Sequence, residues 1–93
     1  MHIYSITLEL SLLSRSLKGK RGIVKSILGR ARRRFNIAGA EVDLQDTHDT
    51  AIIAFVTVSG SKLLARQTLE KLEAWLYAEH PDVEIVSADI EEC

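Results

Sequence analysis

Ninety-three residues, 46% of them apolar and 27% charged, suit one globular domain spanning residues 1–93 and exclude both a second core and a disordered polyelectrolyte. The net charge of −1 conceals a strong polarity: nine of the twelve Lys and Arg fall between Arg15 and Arg34, no Asp or Glu occurs from Leu10 to Ala40, and the rest of the chain sums to −10. No apolar run approaches the ~20 residues that span a bilayer, the alternating N-terminal segment is not a signal peptide, and the single cysteine, Cys93, closes no internal disulfide, which fits a cytoplasmic protein.

From His2 to Leu12, Tyr4, Ile6, Leu8, Leu10 and Leu12 alternate with Ser5, Thr7, Glu9 and Ser11. That period of two is a strand with one buried face. Ser16 offers a side-chain oxygen as an N-cap. Leu17, Val24, Ile27, Leu28, Ala31 and Phe35 then recur at helical spacing and predict a helix from about Ser16 to Phe35.

Two strands follow. Ala40, Val42 and Leu44 alternate with Glu41, Asp43 and Gln45; Ile52, Ala54, Val56 and Val58 alternate with Ile53, Phe55 and Thr57; the polar QDTHDT between them reads as a hairpin turn. Ser59-Gly60-Ser61 opens a second helix whose core stripe is Leu64, Ala65, Thr68, Leu69, Leu72, Trp75 and Leu76, and Pro81 ends it. Val83 to Ile90 reads as a last strand and Glu91-Glu92-Cys93 as a frayed tail. The order β-α-β-β-α-β with right-handed crossovers predicts an α+β ferredoxin-like sandwich, a four-stranded antiparallel sheet with two helices on one face.

The first helix is built against its own stability. On a wheel of about 100° per residue, Arg21, Lys25 and Arg32 fall within about 60° of Lys18, and Arg30 and Arg33 lie round the other side. Between them run Gly19, Gly22, Ser26 and Gly29, a ridge of nearly bare backbone. Each interior glycine costs ~1 kcal/mol against alanine, and like charges such as Lys18–Arg21 and Arg21–Lys25 repel by ~0.2–0.5 kcal/mol each. Lys18, Lys20 and Arg21 also occupy the positive end of the helix dipole, with no Glu to relieve them. Local rules broken together point to a surface that serves a partner. A phosphate backbone would neutralise the charge, and the glycines would let it approach.

Elsewhere the chain offers less. The sheet face away from the helices is expected to show Ser5, Thr7, Glu9, Ser11, Glu41, Asp43, Ile53, Phe55 and Thr57. AFV at Ala54–Val56 faintly echoes an RNA-recognition motif, which stacks bases on aromatics of its central strands. Three carboxylates on that face and an Ile at position 53 argue against a base platform, so Ile53 and Phe55 are read as sheet packing or a dimer contact. Asp43, Asp46, His48 and Asp49 cluster at the hairpin without the spacing of a metal loop and are read as a solvated turn. No Ser/His/Asp or Cys/His arrangement is evident, and neither an enzymatic site, a metal nor a cofactor is expected.

At SLKGKR (Ser16–Arg21), RARRRFNIAGAEVDLQD (Arg30–Asp46) and the following TAIIAFVTVSG, the chain resembles the YlxP-like family of small bacterial proteins of unknown function. The similarity covers nearly the whole chain. It implies a ferredoxin-like fold and supplies no catalytic residues. Members are often encoded beside genes for translation initiation and ribosome maturation, which makes RNA or the ribosome the natural anionic partner. Lys18, Lys20, Arg21, Arg32, Arg33, Arg34, Asp43 and Asp46 match the family pattern; Gly19, Gly22 and Gly29 stand where relatives tend to carry larger residues. The resulting expectation is a non-enzymatic RNA-binding or ribosome-associated factor. Its nucleic-acid-binding set is Ser16, Lys18, Lys20, Arg21, Lys25, Arg30, Arg32 and Arg33. The alternative is a homodimer or higher homo-oligomer joining basic helix to acidic sheet, with Ile53 and Phe55 at the contact.

Overall fold

The computed structural model describes all 93 residues. It contains β1 (His2–Leu12), α1 (Leu17–Arg34), β2 (Ala38–Asp43), β3 (Thr50–Ser59), α2 (Lys62–Glu79) and β4 (Val83–Glu92). The strands form one antiparallel sheet in the order β2-β3-β1-β4, and the architecture is ferredoxin-like. Both helices start where a serine can cap them: Ser16 accepts from Gly19 N at 3.0 Å and Ser61 from Leu64 N at 3.3 Å. α2 stops at Glu79, just ahead of Pro81.

The core lies between one sheet face and the helices. Tyr4, Ile6, Leu8, Leu10 and Leu12 of β1 are buried as the alternation requires, against Val24, Ile27 and Ala31 of α1 and Ala65, Leu69, Leu72 and Leu76 of α2. Leu64, assigned to the α2 core stripe, is exposed instead.

The faces of β2 and β3 are the reverse of the expectation. Ile53 and Phe55 are fully buried under the helices and Thr57 nearly so, while Ile52, Ala54 and Val56 are half-buried and Val58 is exposed on the open side. β3 is apolar on both faces, so its own period cannot choose between them. Register with β1 decides: Ile6 faces Phe55 and Leu8 faces Ile53, and residues directly opposite in an antiparallel pair share a face. The larger side chains fill the core. Ile53 and Phe55 therefore cannot form an oligomer contact.

β2 follows its neighbour. Gly39 pairs with Phe55 and Glu41 with Ile53, which turns Glu41 toward the helices. Glycine is required at 39, because a Cβ there would sit 2.4 Å from Phe55 Cδ1. The C-terminal tail is also ordered rather than frayed: β4 continues to Glu92, and Cys93 N donates to Ile3 O at 2.8 Å.

Candidate nucleic-acid interface

α1 lies along the β2 side of the sheet, and its stripe at Lys20, Val24, Ile27 and Ala31 faces inward. Lys20 is therefore removed from the RNA-binding set. Its side chain is 1% exposed; Nζ donates to Leu44 O and Thr47 O, each at 2.5 Å, and lies 2.9 Å from Glu41 Oε2. Glu41 is only 16% exposed and has no hydrogen-bond donor besides this ammonium. A lysine enters a core stripe only with a partner for its charge, and the turn after β2 provides one.

The hairpin consequently acts as a collar. Leu44 adopts a left-handed conformation (φ 58°), its N–H bonds Asp43 Oδ1 at 2.8 Å, and its carbonyl takes both Lys20 Nζ and Thr47 N. His48 Nδ1–H donates to Ser14 O at 2.9 Å. Asp43, Asp46, His48 and Asp49 do not converge as a set of ligands.

The other candidate cations are exposed. No carboxylate oxygen lies within 4.0 Å of Lys18, Arg21, Lys25, Arg32, Arg33 or Arg34. Arg30 reaches Glu79 at 3.9 Å, with both side chains about half exposed, a pair worth little in water. Arg32 Nη2 donates to Gly39 O at 2.6 Å, and Arg33 Nε to Gly29 O at 3.3 Å. Neither bond neutralises charge. Ser16 Oγ serves the helix cap.

The cations lie on both sides of the small-residue ridge, but Lys18 falls on the α2 side rather than with Arg21, Lys25 and Arg32, and Arg33 folds back onto Gly29. Arg32 reaches over β2, and Leu28 beside it packs toward Gly39. Lys18, Arg30, Arg33 and Arg34 look toward the C-terminal end of α2. The glycines differ in purpose. A Cβ at Gly19 would crowd Ser14 Oγ and Ser16 Oγ at 3.0 and 3.2 Å, so Gly19 makes room for the cap; Gly22 faces open space.

Between α1 and the end of α2 lie two open depressions, the two compartments of this side of the molecule. One, of about 660 Å³, has Gly19, Gly22 and Ser26 on its α1 side and His80 and Asp82 opposite. The next, of about 490 Å³, is formed by Arg30, Arg33, Arg34, Trp75 and Glu79. Trp75 meets Phe35 and His80 edge-on, at centroid distances of 5.8 and 5.6 Å, and Arg34 lies over the Phe35 ring at 5.8 Å. His80 is buried and its Nε2 has no hydrogen-bond partner. Burial holds its pKa below the usual 6.5, Arg30 lowers it further, and Asp82 and Glu79 oppose the shift. Arg34, Trp75 and Glu79 were missing from the sequence-derived set. Arg34 was visible in the RARRR run, whereas the position of Trp75 depends on how the helices lie side by side.

No helix is long and apolar enough to cross a membrane. Residues 3–90 match the family described as Protein of unknown function (DUF503). Over 69 residues the chain is 32% identical to the uncharacterized protein YlxP of Bacillus subtilis (strain 168), an alignment that covers 74% of each protein.

Proposed function

This chain belongs to DUF503, a family of proteins of unknown function, and we propose that it is a non-enzymatic, cytoplasmic RNA-binding factor that holds phosphates on α1 and acts at the ribosome. The observation that carries the reading is the charge left without a partner: Lys18, Arg21, Lys25, Arg32, Arg33 and Arg34 are exposed, and none has a carboxylate within 4.0 Å. Small residues separate the two flanks, so a backbone lying on the ridge touches both. What the site offers is charge, hydrogen-bond donors and a recess. The setting of YlxP-like genes beside those for translation makes ribosomal RNA the first RNA to try.

Six phosphate contacts, from Lys18, Arg21, Lys25, Arg30, Arg32 and Arg33, give a log–log salt slope of roughly −4 on single-stranded RNA, at about 0.7 per contact. Fluorescence anisotropy with a labelled oligoribonucleotide measures it. Arg21→Ala, Lys25→Ala and Arg32→Ala together should weaken binding of any sequence and bring the slope to about −2. Unchanged affinity in the triple variant refutes the reading.

One observation favours a second reading, self-association. The open sheet face exposes Val42 and Val58, at 51% and 48%, beside half-buried Ile52, Ala54 and Val56. Light scattering in low and high salt separates the two readings. A dimer without RNA affinity favours the second, and an RNA-binding monomer the first.

A further inference from the structure

The compartment around Trp75 has a composition that a pure phosphate site would not have. Arg30, Arg33 and Arg34 supply three guanidinium groups, Glu79 adds a carboxylate, and Trp75 adds a half-buried aromatic ring. A phosphate satisfies the arginines but is repelled by Glu79. A nucleotide satisfies all three kinds of group: its phosphate pairs with arginine, its ring N–H and amino donors meet a carboxylate, and its π-face lies against indole. The depression, about 490 Å³ and open to solvent, has room for one base lying on its surface rather than enclosed in it. The compartment also opens directly beside the glycine ridge, since Ser26 of one compartment and Arg30 of the next are one helical turn apart.

We propose that this compartment receives an unstacked nucleobase of the RNA held on α1, so that the protein selects single-stranded over duplex RNA. The inference rests on the RNA-binding reading and deepens it. An A-form duplex keeps its bases stacked and presents mainly backbone and 2′-hydroxyls, which would leave Trp75 untouched. A single strand can turn one base into the recess while its neighbouring phosphates meet Arg30 and Arg33.

Trp75 is the only tryptophan of the chain, so the unmodified protein reports the event. Its intrinsic fluorescence is followed while a single-stranded oligoribonucleotide, its perfect duplex or inorganic polyphosphate is added, with anisotropy measuring binding in parallel. The expected result is quenching by the single strand alone, and an affinity for it at least about fivefold above that for the duplex, the lower end of what one stacked base contributes. Trp75→Leu should lose about fivefold to 160-fold in single-strand affinity and leave polyphosphate binding unchanged. Binding seen by anisotropy with no change in Trp75 fluorescence overturns this inference and leaves RNA binding on α1 standing. Equal quenching by polyphosphate overturns it too, because the compartment then answers to anions. No binding of any RNA refutes both.

Discussion

Lys20→Met tests the separation of α1 into a structural cation and solvent-facing ones. Methionine keeps the stem that runs beside Val24 and removes only the ammonium. The loss strands the Glu41 carboxylate, 16% exposed, whose partner stood 2.9 Å away. It also frees the carbonyls of Leu44 and Thr47, but these belong to a partly exposed turn and can recover water. Removing one member of a buried ion pair costs about 3–5 kcal/mol, most of it from the charge left behind. A domain of this length has a total stability of roughly 5–14 kcal/mol, so the variant loses a large share. Its melting temperature should fall by at least about 12 °C, at 4 °C or more per kcal/mol. Urea unfolding gives the free energy, with an unchanged m-value as the check that the denatured state is unaltered. Adding Glu41→Gln to Lys20→Met should restore part of the loss, since the orphaned charge disappears; the coupling should be about 0.5–3 kcal/mol. RNA affinity and salt slope should match wild type wherever the variant is folded. A loss of less than about 1 kcal/mol, or intact stability with a slope shallower by about 0.7, would refute the buried pair and return Lys20 to the RNA surface.

Two further outcomes follow from local geometry. Gly22→Ala places a methyl in open space on an exposed helix and should stabilise by up to ~1 kcal/mol. Gly39→Ala drives a Cβ to 2.4 Å from the buried Phe55 ring and should destabilise by about 1–3 kcal/mol; equal melting temperatures for the two variants would contradict the packing described. His80 gives a pH dependence. Burial, then Arg30, lowers its folded pKa below 6.5, against the raising influence of Asp82 and Glu79. The unfolded chain therefore takes up the proton first, so this contribution to stability is complete above 6.5 and is lost as pH falls through the folded value. Urea midpoints compared at about pH 7.5 and about pH 5.5 should fall further in wild type than in His80→Phe, which keeps a ring against Trp75; identical profiles would contradict the assignment.

Elements with one apolar face could be read from the residues alone. β1 and both helices each have one, so their existence, their serine caps and most of their buried residues follow from period and cap chemistry. β3 has two. Ile53 and Phe55 compete with Ile52, Ala54 and Val56 for the core, and only pairing with β1 settles which set wins. The same ambiguity passes to β2, where it decides whether Glu41 faces water or Lys20. Lys20 itself stood in plain view: positions 20, 24, 27 and 31 form one helical stripe. Its charge argued for solvent, because the carboxylate that neutralises it comes from a strand whose facing could not be read. The Trp75 compartment was hidden for another reason. It depends on the spacing of two helices separated by a hairpin, and no local pattern encodes that distance.

The fold accounts for some of the cations and leaves others without a reason. Lys20 answers Glu41. Arg32, Arg33 and Arg34 end α1, where the helix dipole favours positive charge, and Arg32 holds Gly39 O. Arg30 has Glu79, loosely. Lys18, Arg21 and Lys25 have none of these. Lys18 stands in the first turn, where the dipole is unfavourable for cations, Arg21 lies three residues from Lys18 and four from Lys25, so that like charges repel, and no acidic residue occupies the first turn. The acids lie on α2 and along β4, including Glu70, Glu73, Glu84, Asp89 and Glu91, and on β2 and its hairpin, where Glu41 is taken up by Lys20 and Asp43, Asp46 and Asp49 are exposed. β4 is three strands from β2, about 14 Å at 4.7–4.9 Å per strand, beyond the Debye length of about 8 Å at physiological ionic strength. The acids of β4 therefore balance the net charge from a distance, and no carboxylate anywhere in the chain lies within 4.0 Å of Lys18, Arg21 or Lys25. A charge arrangement that costs stability and is left unpaired by its own chain is what the proposed anionic partner would account for. Among the six unpaired cations, Lys18, Arg21 and Lys25 therefore weigh most in the case for an anionic partner, because the helix C-terminus gives the arginine run a structural reason that they lack.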